Sequence, residues 1–225
     1  MLLALAVTAT MAVWLGVLNW DSLDSGYGDT DDATRLVAVR ALLDGRSWWD
    51  QLVTRFQPPM GLWMHWSRLL DGGIAGLDRV FRIALSAEDA EFATRFTWPL
   101  LWIFPAVLAA LTSARRLGRG VVNNAAVVVC AVILASDLYL YVQFRPGRID
   151  HHDVQMTCAF LALAGATLPS RVKGAAIAGV ATGIGMAVGL ESLVFSVAIG
   201  GMLALRFGFY REQAGRPRPM AWRWP

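Results

Sequence analysis

Five long apolar runs constrain the fold of this chain more than any other sequence feature. They cover residues 1–20, 96–113, 121–144, 154–169 and 174–209. A bilayer-spanning helix needs about 20 largely apolar residues, and only helices or closed barrels satisfy the backbone hydrogen bonds in lipid. The last run is too long for one span and contains Glu191, so we divide it into two. The runs predict an all-α fold, a polytopic transmembrane helical bundle with about six spans.

The composition agrees with this class. Hydrophobic residues make up 56% of the 225 residues, and the mean hydropathy is +0.47. A soluble domain of this length would carry no such uninterrupted runs. The first run has no basic residue before its apolar core and no clear cleavage site, so we expect an uncleaved span and not a signal peptide. No basic stripe is interleaved with aromatic residues, which argues against nucleic acid as a partner.

The distribution of charge predicts the topology. Basic residues follow the second, fourth and sixth predicted spans, namely Arg115, Arg116, Arg119, Arg171, Lys173, Arg211, Arg216, Arg218 and Arg223, and Arg206 lies near the end of the sixth. Residues 21–95 hold twelve acidic residues and eight arginines, a net charge of −4. Because basic loops stay in the cytoplasm, we expect a bacterial inner-membrane protein with both termini cytoplasmic. Residues 21–95 and 143–153 are then the first and second periplasmic loops of one transmembrane domain spanning residues 1–225.

The first of these loops, residues 21–95, which we call the first outer loop, has the pattern of two amphipathic helices. Thr30 or Asp31 can cap a helix that ends near Asp44, with Gly45 as its stop. We predict a second helix after Pro58-Pro59. Its apolar side would hold Leu62, Trp66, Leu69, Leu70, Leu77 and Phe81, and its polar positions Arg68, Asp71, Asp78, Arg79 and Arg82. Both helices are expected to lie along the outer membrane surface, with Trp48 and Trp49 at headgroup depth.

The second periplasmic loop, residues 143–153, is called the second outer loop below. It contains Gly-Arg-Ile-Asp-His-His-Asp at residues 147–153. Two carboxylates and two imidazoles form a ligand set for a divalent metal, Mg²⁺ or Mn²⁺. Asp150 and His152 can reach one ion if the backbone is extended, and His151 then points away. Alternatively, Asp150 simply caps the following span. We expect Asp137, His151 and Asp153 to contact the ligating side chains without binding the metal themselves.

The first outer loop contributes a second acidic motif, Asp-Thr-Asp-Asp at residues 29–32. Acids in the first turn of a helix favour its dipole, and Asp31 can pair with Arg35, so a structural role explains the motif. If both motifs converge, Asp31 is a further metal ligand. Arginines near such a site, namely Arg35, Arg40 and Arg148, can bind phosphate oxygens.

Asp137 and Glu191 lie within or at the ends of predicted spans. Ionisable residues at membrane depth are functional candidates. One alternative function is therefore a transporter in which these two carboxylates line an ion or proton path.

The order of the motifs resembles the GT-C superfamily of membrane glycosyltransferases. Residues 29–32 with Arg40 resemble the first acidic motif of that family. Residues 57–63, Gln-Pro-Pro-Met-Gly-Leu-Trp, are similar to the Lys-Pro-Pro segment of lipid-A aminoarabinose and protein O-mannosyl transferases, with Gln57 replacing the lysine. Residues 147–152 resemble the second motif of archaeal oligosaccharyltransferase catalytic subunits.

The resemblance implies transfer of a sugar or oligosaccharide from a polyprenyl-phosphate-linked donor to a protein or glycan acceptor at the periplasmic membrane surface. It assigns catalysis to Asp31 and Asp32, and the metal to Asp31, Asp150 and His152. Arg35, Arg40 and Arg148 would bind the donor phosphate. Members of the family are normally longer, which predicts that the chain is an N-terminal portion. The remaining alternative is a non-catalytic subunit that binds lipid-linked sugar and membrane lipid.

Overall fold

The computed structural model describes residues 1–20, 23, 29–118 and 122–214, most of which are helical. The helices are α1 (Leu2–Asn19), α2 (Thr30–Leu43), α3 (Arg68–Phe81), α4 (Ala87–Leu117), α5 (Val122–Ser136), α6 (Leu138–Phe144), α7 (His152–Ala166), α8 (Arg171–Val188) and α9 (Leu193–Ala214). A 3-10 turn covers Leu190–Ser192, and two short strands are β1 (Leu52–Val53) and β2 (Leu62–Trp63). The fold is therefore mostly helical, as predicted.

Four of the described helical segments are long and apolar enough to cross a membrane. They are α1, α4, α8 and the segment Leu190–Phe209. The apolar part of α5, Asn123–Ser136, is shorter, and α7 has only 15 residues. Large apolar side chains are exposed along α1 and α9, and lipid would cover such surfaces. A membrane helical bundle agrees with these features, whereas the count of six spans stays a prediction. Arg119, Arg216, Arg218 and Arg223 lie outside the described residues.

The longest helix, α4, joins the outer segment to the bundle. Ser86 caps it by accepting a hydrogen bond from the Asp89 N–H at 3.1 Å. The helix continues for 31 residues through Pro99 and Pro105. The predicted second span is only its later part. Buried residues of α4, such as Ile103 and Val107, pack against α1, α5 and α6 in the main apolar core.

The predicted third span is two helices, because the chain breaks at Asp137 between α5 and α6. The Asp137 carboxylate accepts a hydrogen bond from the Leu140 N–H at 3.1 Å. Aspartate side chains compete in this way with the helical backbone hydrogen bonds. Asp137 thus begins α6, at the opposite end of that helix from the second outer loop.

The predicted first outer helix is confirmed as α2, but its cap differs from the prediction. The Asp29 carboxylate, and not Thr30 or Asp31, accepts hydrogen bonds from the Asp31 and Asp32 N–H groups at 2.9 and 3.1 Å. Gly45 follows the helix with φ +90°, a conformation that favours glycine. Capping of α2 by Asp29 places the whole acidic motif at one helix terminus.

The second outer helix begins later than predicted. Leu62 and Trp63 form β2, which pairs antiparallel with β1, so Leu62 is not part of α3, and Trp66 precedes the helix. Three of the predicted polar positions of α3, namely Arg68, Asp71 and Asp78, are buried. Ion pairing offsets part of the free-energy cost of this burial, because Asp71 pairs with Arg68 at 3.1 Å.

A second apolar core joins the outer helices to the bundle. Its members come from α2, α3, α4, α7, α8 and the second outer loop, and include Leu36, Val39, Leu70, Ile74, Trp98, Ile149, Val154 and Val188. Helices α7 and α8 approach closely at Gly165, where a Cβ atom would lie 2.7 Å from the Ala178 nitrogen. Packing within this second core brings the start of α2 against the second outer loop.

Candidate functional site

The site is built at the turn that joins α6 to α7. Gly147 has φ +93°, and its N–H donates a hydrogen bond to the Arg95 carbonyl at 2.9 Å. The turn is thereby attached to α4. The residues that follow, Arg148 to Asp150, are directed toward the N-terminus of α2.

Asp32 connects the two predicted acidic motifs. One oxygen of its carboxylate accepts hydrogen bonds from the Ile149 and Asp150 N–H groups, at 2.8 and 3.0 Å. The residue is only 1% exposed. Two backbone donors therefore hold a buried carboxylate at the base of the second outer loop. The two motifs meet, and the contact is made by Asp32 and not by Asp31.

A single guanidinium group lies among three carboxylates at this junction. Nη1 of Arg148 contacts an oxygen of Asp29 and lies 3.1 Å from Oδ2 of Asp32. Nη2 lies 3.3 Å from Asp150 Oδ2 and donates a hydrogen bond to the Gln143 side chain at 3.3 Å. Arg148 thus offsets the repulsion among acids that both loops contribute. It is buried and engaged, so it is not free for the predicted contact with a donor phosphate.

The structure places Asp31 apart from this network. Its side chain forms no hydrogen bond or ion pair with any residue that the structure describes, and only its backbone N–H binds Asp29. The predicted pairing of Asp31 with Arg35 is absent, because Arg35 pairs with Asp71 at 2.8 Å. Among the described residues, the group of potential metal ligands does not include Asp31.

Asp150, His151 and His152 form that group, with one ligand atom from each lying within 4.8 Å of the other two. Nδ1 of His151 contacts one Asp150 oxygen, and Nε2 of His152 lies 3.4 Å from the other. The two imidazole centroids are 4.4 Å apart. His151 therefore faces Asp150, which corrects the prediction that it points away. The reason is that α7 begins here, so the backbone is not extended.

The donor set fits a divalent cation. One carboxylate and two imidazoles are ligands of Zn²⁺, Mn²⁺ and Fe²⁺, whereas Mg²⁺ prefers oxygen alone. The mixed set therefore favours Mn²⁺ over Mg²⁺ between the two predicted metals. Asp150 also accepts the His151 N–H at 2.6 Å, which fixes the carboxylate for such a role.

The surroundings of the cluster shift the pKa values of two carboxyl groups in opposite directions. Burial raises the pKa of Asp150, but hydrogen bonds from His151 more than offset it and lower that pKa to about 2. Burial of Asp32 outweighs its attraction to Arg148 and raises the pKa of Asp32 to about 6. At neutral pH Asp150 is therefore ionised and able to bind a cation.

Glu191 joins the cluster from a third segment, the turn between α8 and α9. Its Oε2 lies 3.6 Å from His151 Nε2 and accepts a hydrogen bond from Gln155 at 2.9 Å. A Cβ atom on Gly189 would lie 2.6 Å from the Glu191 carboxylate and 3.0 Å from His151, so glycine leaves room for this contact. The Glu191 side chain is 63% exposed. The sequence indicates Glu191 as a candidate but not its contact with His151.

The other predicted residues lie around this centre without contributing ligand atoms. Arg35 is 1% exposed, and Arg40 forms a two-pronged ion pair with Glu91 at 2.6 and 2.7 Å. Asp153 is buried next to the cluster and accepts the Val154 N–H at 2.7 Å. Asp137 lies about 10 Å along α6 from the turn, since helices rise about 1.5 Å per residue. It therefore caps α6, which differs from its predicted support of the ligands.

Trp66 belongs to the surroundings of the cluster, although the sequence places it on a helix. Its ring centroid is 6.3 Å from that of His151 and 4.4 Å from the central guanidinium carbon of Arg35. A cation over an aromatic face is stabilised by the ring quadrupole. No sequence signal indicated this contact, because it joins three separate segments.

Comparisons of the chain with protein-family models, with curated proteins and with solved structures find no match. The resemblance to GT-C enzymes consequently stays a prediction from short motifs.

Proposed function

We propose that this chain is a metal-dependent membrane glycosyltransferase of the GT-C type. It would transfer a sugar or oligosaccharide from a polyprenyl-phosphate-linked donor to a protein or glycan acceptor on the periplasmic side. The observation that carries the proposal is the meeting of the two acidic motifs, through Asp32 and Arg148, beside the cluster of Asp150, His151 and His152.

In this proposal Asp150, His151 and His152 hold the cation. A bound divalent cation would supply the charge neutralisation that departure of a lipid phosphate requires. Asp32 and Arg148 orient the ligands, because Asp32 binds the Asp150 N–H and Arg148 binds the Asp150 carboxylate.

Asp31 would be the carboxylate that orients the acceptor or takes its proton. Its side chain has no described partner, whereas Asp32 is buried and already accepts two hydrogen bonds. A general base must be able to reach the proton it removes. This assignment keeps Asp31 as a catalytic residue and omits its predicted second role as a metal ligand.

The transporter alternative would use Asp137 and Glu191. Asp137 caps α6, and Glu191 is mostly exposed and lies beside His151. The contact with His151 associates Glu191 with the candidate metal centre, which favours the enzyme over the transporter.

The experiment that tests the proposal measures Mn²⁺ binding to the purified protein in detergent by electron paramagnetic resonance. We expect saturable binding that weakens at least about tenfold in Asp150→Asn, His151→Ala and His152→Ala, since each change removes one ligand. His65→Ala is the matched control, because His65 is the remaining histidine of the chain and is exposed. Mn²⁺ binding that is equal in all four variants would contradict the metal centre.

Sugar transfer is then measured with radiolabelled polyprenyl-phosphate-linked donors and a mixture of peptide and glycan acceptors. Transfer that needs Mn²⁺ and is lost in Asp31→Asn, with Mn²⁺ affinity unchanged, supports the enzyme and the assigned role of Asp31. Donor binding without transfer in the wild-type protein would overturn the enzyme and indicate the non-catalytic subunit.

A further inference from the structure

A cavity of about 680 Å³ lies between α2 and the hairpin formed by β1 and β2. Sites for small ligands commonly have volumes of roughly 300–1,000 Å³. The charged residues that line it are Arg40, Arg46, Arg55, Arg68, Asp44 and Asp71. Arginines outnumber aspartates by four to two, so the lining has an excess of positive charge.

Part of this positive charge is buried beneath the cavity. Arg35 and Arg68 share the carboxylate of Asp71, at 2.8 and 3.1 Å, so two cations face one anion. Arg68 is 6% exposed, and its Nε has no hydrogen-bond partner among the described residues. Buried charge that is not fully paired is unfavourable. An anion in the cavity would lower that cost.

Two more arginines line the cavity, Arg46 before β1 and Arg55 between β1 and β2. Arg55 is exposed and forms no hydrogen bond or ion pair with any described residue. Arg46 donates one hydrogen bond to the Leu52 carbonyl at 2.6 Å, and its Nε lies 4.0 Å from Asp50. The planar guanidinium group presents paired donors that match the oxygens of a phosphate.

Trp66 links the cavity to the Asp150–His152 cluster. It lines the cavity, and its ring is 6.3 Å from the ring of His151. The sequence assigned phosphate binding to Arg35, Arg40 and Arg148, but each of these is paired with a carboxylate. Arg55 forms no ion pair with a described residue, and Arg46 lies only within 4.0 Å of Asp50, so these two arginines of the cavity remain available beside the candidate metal centre.

We infer that this cavity binds a phosphate or diphosphate group, with Arg46 and Arg55 as its contacts and Arg68 as the buried charge beneath. The inference deepens the proposed function, on which it rests for the identification of the group as that of a lipid-linked donor. Binding of the anion itself depends only on the geometry of the cavity.

The experiment measures binding of radiolabelled pyrophosphate to the full chain in detergent by equilibrium dialysis, with EDTA present to remove divalent cations. We expect saturable binding that weakens about tenfold in Arg55→Gln and further in the Arg46→Gln/Arg55→Gln double variant, because each guanidinium supplies charge-assisted hydrogen bonds. Both arginines are exposed, so the variants should fold.

Arg79→Gln is the matched control, since Arg79 is exposed on α3 and does not line the cavity. Absence of saturable binding, or equal weakening in Arg79→Gln, would overturn the inference. Asp150→Asn should bind pyrophosphate like the wild type, so failure of the metal centre and failure of the cavity give different results.

Bicelles distinguish the sources of the phosphate group. Displacement of pyrophosphate by bicelles that contain phosphatidylglycerol, but not by phosphatidylcholine alone, supports the inference with a lipid headgroup as ligand. Retention of pyrophosphate in both supports a water-soluble phosphate compound.

Discussion

At the scale of single residues, the site depends on which carboxylate is buried. Asp31 and Asp32 are neighbours, yet Asp32 binds the second outer loop and Asp31 does not. On a helix, adjacent residues point about 100° apart, so only one of them can face a given partner. Asp29 and Asp32 contact Arg148, so Asp31 is the acid of this motif whose side chain has no described partner.

The raised pKa of Asp32 predicts a pH dependence of stability. The folded protein holds the Asp32 proton up to a pKa of about 6, whereas an unfolded chain loses it near 3.8. The resulting stabilisation is complete below about pH 3.8 and is lost as the pH rises through about 6. Ionised Asp32 therefore lowers the stability of the fold at neutral pH.

Asp32→Asn keeps a neutral acceptor for the Ile149 and Asp150 N–H groups and removes the titration. Between about pH 4 and about pH 7, the free energy of unfolding of the wild type should fall relative to this variant by on the order of 2–3 kcal/mol. Thermal unfolding in detergent with EDTA measures the difference. Parallel pH profiles for the two proteins would show that Asp32 does not titrate in this range.

At the scale of elements, one residue both begins α2 and binds the neighbouring loop. The Asp29 carboxylate caps the helix and also contacts Arg148. The start of α2 and the turn before α7 are therefore attached to each other. A cap contributes about 1 kcal/mol, and an exposed ion pair usually contributes less.

Two substitutions separate these contributions. Asp29→Asn keeps a side-chain acceptor for the Asp31 and Asp32 N–H groups but removes the charge that faces Arg148. Asp29→Ala removes both. We expect Asp29→Ala to lower the free energy of unfolding by about 1–2 kcal/mol and Asp29→Asn by less than about 1 kcal/mol. Equal losses in thermal unfolding would mean that the ion pair, and not the cap, stabilises the start of α2.

At the scale of the whole molecule, three segments that are distant in sequence meet at one end of the bundle. The start of α2, the turn before α7 and the turn before α9 are joined by Asp32 with Ile149 and by His151 with Glu191. The first two of these segments belong to the loops that the sequence predicts on one side of the membrane, and the third lies beside them. This arrangement also requires α7 and α8 to run away from that end and back.

Cysteine labelling tests this topology in intact bacterial cells with an impermeant maleimide. In a background with Cys130 and Cys158 replaced by serine or alanine, Ser47→Cys and Glu191→Cys should react from outside. Ser170→Cys, at the start of α8, should react only after the membrane is permeabilised. Labelling of Ser170→Cys in intact cells would contradict the orientation. Absence of labelling at both Ser47→Cys and Glu191→Cys in intact cells would contradict the outer position of these two segments.

Local signals made several elements predictable. An apolar run selects a helix whatever its neighbours are, so α1 and the later part of α4 follow from composition along the chain. The acidic motif before α2 and Gly45 after it delimit that helix because capping and positive φ are local properties. The sequence also indicates the Asp150–His152 cluster, because its three members are consecutive.

Tertiary packing determined the rest. Arg68 and Asp71 are polar positions of α3, but contacts from other segments permit their burial, because Asp71 pairs with Arg35 of α2 and Arg68 donates to the Asp50 carbonyl. The orientation of His151, the contact of Glu191 and the pairing of Arg35 with Asp71 each join residues that are far apart or arise from where α7 begins. The sequence by itself determined that the chain is mostly helical, where most of its helices lie and which residue types could bind a cation. Only the folded chain determined which charged side chains are paired across elements and which remain available, because such pairing depends on distances between elements and not on the pattern within any one of them.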